Sequence, residues 1–364
     1  MKASEFYTAL QAQGLENFYG VPDSLLKELC ACITENTPAE RNIIAANEGN
    51  ALAMAAGHYL ATGKPAVVYM QNSGLGNVVN PLLSLTDEEV YGIPALLIIG
   101  WRGEPGVHDE PQHVKQGKLT LPLLETMGIA YSILEEEGQV AEASAYMARH
   151  SKPYALVVRK GTFEPYARAA AEARYELGRE AAIRCVVEQL GERDVVVSTT
   201  GMISRELYES RETHEKDFLT VGSMGHASSI ALGIALAKPE RRVYCMDGDG
   251  AFLMHMGAAA VLAAQEPKNL RHVVINNEAH DSVGAQPTIM KSVEMGALVK
   301  AVGYKRVYEA RSEEEIRAVW KEYSEGEGPS LLEIKVKCGS RKDLGRPKER
   351  PAENKAAFMK FLQD

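Results

Sequence analysis

Two short stretches hold residues that could grip a phosphorylated ligand through a metal ion. Asp247-Gly248-Asp249-Gly250 follows an apolar run at 243–246, and Asn276-Asn277 follows another at 273–275. Asp-Gly alone is a common turn dipeptide. Here it falls where a strand should end, and open α/β sheets bind ligands outside the carboxyl ends of their strands. Glycine lets a backbone approach a ligand closely. A helix beginning just beyond Gly250 would offer free N–H groups to a diphosphate. Asp249 supplies a carboxylate and an asparagine supplies a carbonyl oxygen. So sparse a set suits Mg2+, whose octahedron is usually completed by substrate phosphates and water. The two turns together read as a metal–diphosphate site.

The elements that must position these residues alternate along the chain. Apolar, β-branched runs occur at 66–70, 95–99, 155–158, 195–197, 243–246, 273–275 and 331–336. Several are continuous, as expected of strands covered on both faces. Helical patterns lie between them at 50–59, 227–236 and 257–264. The pattern predicts an α/β protein with parallel sheets. Its halves echo each other: Met127-Gly128-Ile129 and Val302-Gly303-Tyr304 open similar segments, which close at Pro153 and Pro329. The near-equal displacement of both markers points to two similar domains, and 364 residues exceed what one core usually supports. The expected boundaries are 1–165, a linker at 166–178, 179–340, and a basic tail at 341–364.

Composition narrows the class. The net charge of −9 argues against a dedicated nucleic-acid binder, which usually has a basic face. No apolar run approaches membrane-spanning length, and the first residues lack a signal peptide's apolar stretch. The five cysteines are scattered, with no disulfide or zinc spacing, as in a cytoplasmic protein. Gly74-Leu75-Gly76 lacks the third glycine of a dinucleotide fingerprint, because Val79 holds that position. The stretch 101–118 reads as a long loop at the ligand-binding end of strand 95–99, carrying Arg102, His108 and His113. Arginine and histidine donors suit an anion with several acceptor oxygens. Asp23 and Ser24 also follow an expected strand and are candidate substrate contacts. Glu48, at the mouth of the 50–59 helix, is at the least a favourable partner for the helix dipole.

At Gly248-Asp249-Gly250 and Asn276-Asn277 the sequence resembles the thiamine-diphosphate enzymes. The resemblance implies that thiamine diphosphate and Mg2+ are the cofactors, with Asp249, Asn277 and the Ala279 carbonyl on the metal. The spacing is slightly longer than the commonest form, which leaves Asn276 or Asn277 as the ligand. Gly222-Ser223-Met224-Gly225 is similar to the stretch whose apolar residue, here Met224, wedges the cofactor into a bent shape, with the Gly222 carbonyl accepting from its amino group. Gly201, Ser223, Gly250 and Ala251 complete the expected contacts of that half. The other half would supply Asn72, Ser73 and Glu48, the glutamate that hydrogen-bonds the aminopyrimidine N1′. A buried carboxyl has a raised pKa and can share a proton with a ring nitrogen. Such enzymes work through an ylid and an enamine on the cofactor, which carries the carbanion chemistry.

Most decarboxylases of this kind carry a third, central domain, and here only a short linker fits. That makes the chain similar to the compact phosphonopyruvate and sulfopyruvate decarboxylases. Further resemblance lies in the segments Gly20–Ser24, Asn47–Gly57, Gln71–Asn77, Trp101–Gly106, Asp109–His113 and Asp343–Pro347. These segments favour the phosphono branch, which implies conversion of 3-phosphonopyruvate to phosphonoacetaldehyde and CO2 in organophosphonate biosynthesis. Sulfopyruvate decarboxylation and, further off, a carboligase of acetolactate synthase type are the alternatives. The resemblance also implies a homodimer or higher homo-oligomer with active sites at subunit interfaces.

Overall fold

The computed structural model describes residues 1–167 and 174–363. The chain divides into two units, Met1–Ala170 and Ala171–Asp364. Residues 168–173 of the expected linker lie outside the described residues.

The first unit holds strands β1 (Phe18–Gly20), β2 (Asn42–Ile44), β3 (Val67–Gln71), β4 (Leu96–Gly100), β5 (Ala130–Ile133) and β6 (Tyr154–Val158). They form one parallel sheet in the order β2-β1-β3-β4-β6-β5. Successive β3 residues feed opposite faces. Val67 and Tyr69 join one apolar core, and Val68 and Met70 join the other. A strand buried on both sides has no place for polar residues, which is why these runs are continuous.

The second unit holds β7 (Val195–Ser198), β8 (Asp217–Leu219), β9 (Val243–Gly248) and β10 (Leu270–Asn276). A small antiparallel hairpin follows, β11 (Ala279–His280) with β12 (Gln286–Pro287), then β13 (Arg306–Ala310) and β14 (Ser330–Lys335). Its parallel sheet runs β13-β14-β10-β9-β7-β8. Setting the hairpin aside and renumbering the six strands from one gives, read backwards, the order of the first sheet. The duplication expected from the markers at Met127 and Val302 is therefore a shared topology. Here too one strand serves two cores: Tyr244 and Met246 face one side of β9, Val243 and Cys245 the other.

The stretch expected to be a basic tail is docked on the second unit. Arg341 pairs with Glu180 at 3.0 Å and also with Glu209, and Arg205 donates to the Gly345 carbonyl at 2.7 Å. The helix Pro351–Gln363 sinks Phe358 into the core. Its Asn354 caps the free edge of β8, accepting from Leu219 N at 3.1 Å and donating to Asp217 O at 2.8 Å. A side-chain amide there satisfies backbone groups that an open edge would expose. All five cysteines are free thiols. Among the described residues no helix is long and apolar enough to cross a membrane.

Candidate active site

Each sheet has a switch point, where neighbouring strands send their connections in opposite directions along the sheet. It lies between β1 and β3 in the first unit, and between β7 and β9 in the second. The sequence-derived candidates gather at the carboxyl ends of these strands, where such sheets take ligands.

In the first unit, Glu48 opens the helix Glu48–Thr62, whose Asn47 cap accepts from Asn50 N at 3.0 Å. Such a cap contributes about 1 kcal/mol and fixes where the helix begins. Glu48 is 4% exposed. Burial raises the pKa of its carboxyl, partly offset by Asn77 Nδ2, which donates to Oε2 at 2.7 Å. The carboxyl lies against Gly74, where a Cβ would overlap it. This is a carboxyl that holds a proton more readily than a solvated one.

In the same unit, Asp23 is fully buried and also raised by burial, and it accepts from Gln71 Nε2 at 2.5 Å and Leu25 N at 2.9 Å. Gln71 in turn accepts from Ser73 Oγ at 2.7 Å. Arg102 donates from Nε to Asp109 at 2.7 Å, from Nη2 to its other oxygen, and from Nη1 to Ser24 Oγ at 2.8 Å. Burial works against the Asp109 carboxylate, yet bonds from Arg102 and the Gly103 amide hold it below the usual range. Of the five guanidinium N–H groups these contacts use three. Asn72 is committed elsewhere. It donates to Arg102 O and Thr120 Oγ1, both at 2.8 Å, and accepts from Arg102 N at 3.1 Å. Its side chain has no donor left for a cofactor, so it positions the Arg102 turn.

The expected loop 101–118 ends early, because the helix Pro111–Thr126 takes over its second half. Proline at a first helical position needs no N–H partner. His113 thus sits on a helix, nearly buried, with its pKa lowered to about 4 by burial and then by Arg102, and with Nδ1 unbonded. His108 is exposed on the remaining loop and joins no cluster.

In the second unit, β9 and β10 are paired so that Gly248 lies beside Ile275. The turns after them are neighbours, as the motif requires. Asp247 is occupied: Oδ1 accepts from Gly248 N at 2.9 Å, and Oδ2 lies 3.5 Å from His272 Nε2 inside the sheet, near Cys245. Asp249 starts the short helix Asp249–Met254, two residues before the expected start just beyond Gly250, and Ala251 is buried within it. Asn276 donates to Glu333 at 2.6 Å and accepts from Glu278 N at 3.0 Å. Both of its ends are therefore taken, which favours Asn277 as the ligand. Asn277 Oδ1 accepts only a 3.2 Å bond from Ala279 N.

Backbone at Glu278 adopts φ +59°, with its carbonyl accepting from Thr288 N at 2.9 Å, while its side chain accepts from Arg174 at 2.8 Å and Tyr175 OH at 2.9 Å. Gly201 has φ +94°, and a Cβ there would lie 2.9 Å from Ser282 Oγ. Ser223 has φ +51° in the turn Gly222-Ser223-Met224. A Cβ on Gly250 would lie 2.9 Å from the His280 ring and 3.4 Å from Met224 Cε, so Met224 does overhang the Gly-Asp-Gly turn.

Asp249 tests whether this half fits a cation. It is 3% exposed, burial pushes its pKa up to about 7, and Thr288 Oγ1 donates to Oδ2 at 2.5 Å. Among the described residues no basic side chain pairs with it. A divalent cation would return this carboxyl to its ionised form, and oxygen donors on two adjacent turns match Mg2+ chemistry. The residues fit the group.

Comparison with known proteins places both clusters in one family. Residues 2–121 match the model "Thiamine pyrophosphate enzyme, N-terminal TPP binding domain", and 197–334 match "Thiamine pyrophosphate enzyme, C-terminal TPP binding domain". A phosphonopyruvate decarboxylase of Streptomyces viridochromogenes is 36% identical over 99% of this chain and 94% of its own length. The chain belongs to the phosphonopyruvate decarboxylase family of thiamine pyrophosphate enzymes. A second such decarboxylase, from Streptomyces hygroscopicus, is 35% identical over 100% of this chain and 94% of its own. A sulfopyruvate decarboxylase of Methanosarcina acetivorans is more distant, 28% identical over 91% and 90%. Thiamine diphosphate is the cofactor of this family, and the two matched segments contain the Glu48 and Asp249 clusters respectively.

Sequence reasoning missed Asn77, Asp109, Thr288 and His280. Asn77 and Asp109 lie in stretches that carry the family resemblance, and His280, on the β11–β12 hairpin and with its pKa lowered to about 4 by burial, is an imidazole one residue past the expected metal carbonyl.

Proposed function

We propose that this protein decarboxylates 3-phosphonopyruvate to phosphonoacetaldehyde and CO2. The observation that carries the reading is Arg102, at the ligand-binding end of β4 in a chain matched end to end by phosphonopyruvate decarboxylases. Two of its N–H groups find no acceptor among the described residues, and it holds Ser24, which follows β1 in the same unit as Glu48. Bidentate arginine recognition suits a phosphonate's oxygens. Asp249, Asn277 and the Ala279 carbonyl hold Mg2+, and Met224 shapes the cofactor's fold. When bound, thiamine diphosphate supplies the electron sink that lets the carboxylate leave as CO2. Glu48 holds the proton shared with the pyrimidine ring. Asp23, whose carboxyl burial makes less acidic, and His113, which burial keeps neutral, border the substrate.

The test compares kcat/KM for phosphonopyruvate, sulfopyruvate and pyruvate side by side. Phosphonopyruvate is the preferred substrate on this reading; a preference for sulfopyruvate moves the protein to the neighbouring branch. Arg102→Ala should raise KM for phosphonopyruvate about 10- to 100-fold, the worth of charge-assisted hydrogen bonds, with little change for pyruvate. An equal effect on both acids removes Arg102 from anion recognition.

The proposal includes a cytoplasmic setting, in keeping with five free thiols. It also includes a homodimer or larger assembly with sites shared between subunits, as the family resemblance implies. Mixing Glu48→Gln with Asp249→Ala protein should restore part of the activity, because some shared sites would then be intact. No recovery after subunit exchange counts against shared sites.

A further inference from the structure

We infer that Asn77 is a positioning residue for the reaction: its amide fixes one carboxylate oxygen of Glu48, leaves the other for the cofactor's ring nitrogen, and biases their shared proton toward the ring. The inference rests on the role given to Glu48 above.

The geometry is specific. Asn77 lies on the helix Leu75–Pro81, and its Nδ2 donates to Glu48 Oε2 at 2.7 Å. Oε1 lies on the Gly74 side, where a Cβ would overlap the carboxyl group. The backbone of Asn77 is set by a second close approach, since a Cβ on Gly49 would lie 2.9 Å from its carbonyl oxygen. Two glycines thus bring the two helices together so that one amide reaches one oxygen. Among the described residues no charged side chain acts on Glu48. Burial raises its pKa, and the groups opposing that rise are the Asn77 amide and Glu48's own backbone N–H.

A hydrogen bond to the charged form of an acid favours that form. Removing the Asn77 donor therefore raises the pKa of Glu48 further. The proton shared with a ring nitrogen then rests more on the carboxyl and less on the ring. Asn77 is half-buried, and it acts through Glu48 without touching the reacting atoms.

Proton uptake on binding reads this directly. Thiamine diphosphate with Mg2+ is titrated calorimetrically into the full-length protein in buffers of different ionisation enthalpy, across pH. Glu48→Gln supplies the background from the cofactor's own groups. In the complex one proton is shared, so uptake due to Glu48 is present above the free-enzyme pKa and vanishes below it. Asn77→Ala and Asn77→Leu should move that midpoint upward by about one pH unit, change cofactor affinity little, and lower kcat with KM unchanged. Asn77→Ser, which keeps a donor, should move it back. An unshifted midpoint, or loss of cofactor binding in all three variants, overturns the role of Asn77. Absence of any Glu48-dependent uptake in the unmodified protein would instead overturn the reading of Glu48.

Discussion

Glu48→Gln should reduce turnover by about 10²- to 10⁴-fold, the usual worth of a positioned acid–base group, while thiamine diphosphate still binds. The variant keeps the size of the side chain and its place at the helix start. It loses only the exchangeable carboxyl proton, on which the shared-proton role depends. The same variant should be no less stable than the parent, and more stable near neutral pH. A buried carboxyl whose pKa is raised on folding costs stability above its unfolded pKa, because the folded state disfavours the ion. That cost disappears in the amide. Activity and stability therefore move in opposite directions, a pattern expected where a strained group is kept for function. Steady-state kinetics at saturating cofactor, with thermal unfolding at pH 7, checks both halves. Turnover within threefold of the parent removes Glu48 from the chemistry.

Asp249→Ala should have the opposite signature. Metal-dependent affinity for thiamine diphosphate should fall by at least about 100-fold, and raising Mg2+ and cofactor should recover part of the lost rate. Asp249 has no basic partner among the described residues and is held in place by Thr288 at 2.5 Å. Thr288→Val, which removes that donor alone, should cost about 10-fold in the same affinity, in line with other groups that orient metal ligands. Equilibrium dialysis with Mg2+ varied separates the two. An Asp249→Ala protein of unchanged metal dependence contradicts the assignment.

The difference between the two expected signatures follows from what was legible in the sequence. Gly248-Asp249-Gly250 and Asn277 could be placed because continuous apolar runs mark buried strands, and ligands gather at strand ends. Glu48 could be placed because a polar cap precedes it and a helical pattern follows it. The topology of both sheets was readable as a duplication, since Met127 and Val302 open equivalent segments. Partners distant in sequence were not readable. Nothing local ties Thr288 to Asp249, Glu333 to Asn276, or Asp109 to Arg102.

The stretch beginning at Pro111 misled for a different reason. Gly117 and Pro122 lie inside the helix and break its sequence pattern, and its buried positions include His113, Gly117 and Thr120, so no apolar stripe announced it. Gly117 is needed because a Cβ there would collide with the Gly103 carbonyl, and the close approach lets Trp101 Nε1 donate to Gly117 O at 2.8 Å. The end of the chain was read as a basic tail because its charges dominate. Arg341 finds Glu180 and Glu209, and Asn354 finds an open strand edge, only once the second unit has folded.

The central claim is that this chain binds thiamine diphosphate through a metal and uses it to break the carbon–carbon bond of a 2-oxo acid. The most direct measurement is CO2 release from 3-phosphonopyruvate by protein first stripped of cofactor and metal, then resupplied with each separately and both together. The account predicts CO2 and phosphonoacetaldehyde in equal amounts only when both are present. No CO2 from phosphonopyruvate, sulfopyruvate or pyruvate under saturating cofactor and Mg2+ would contradict it.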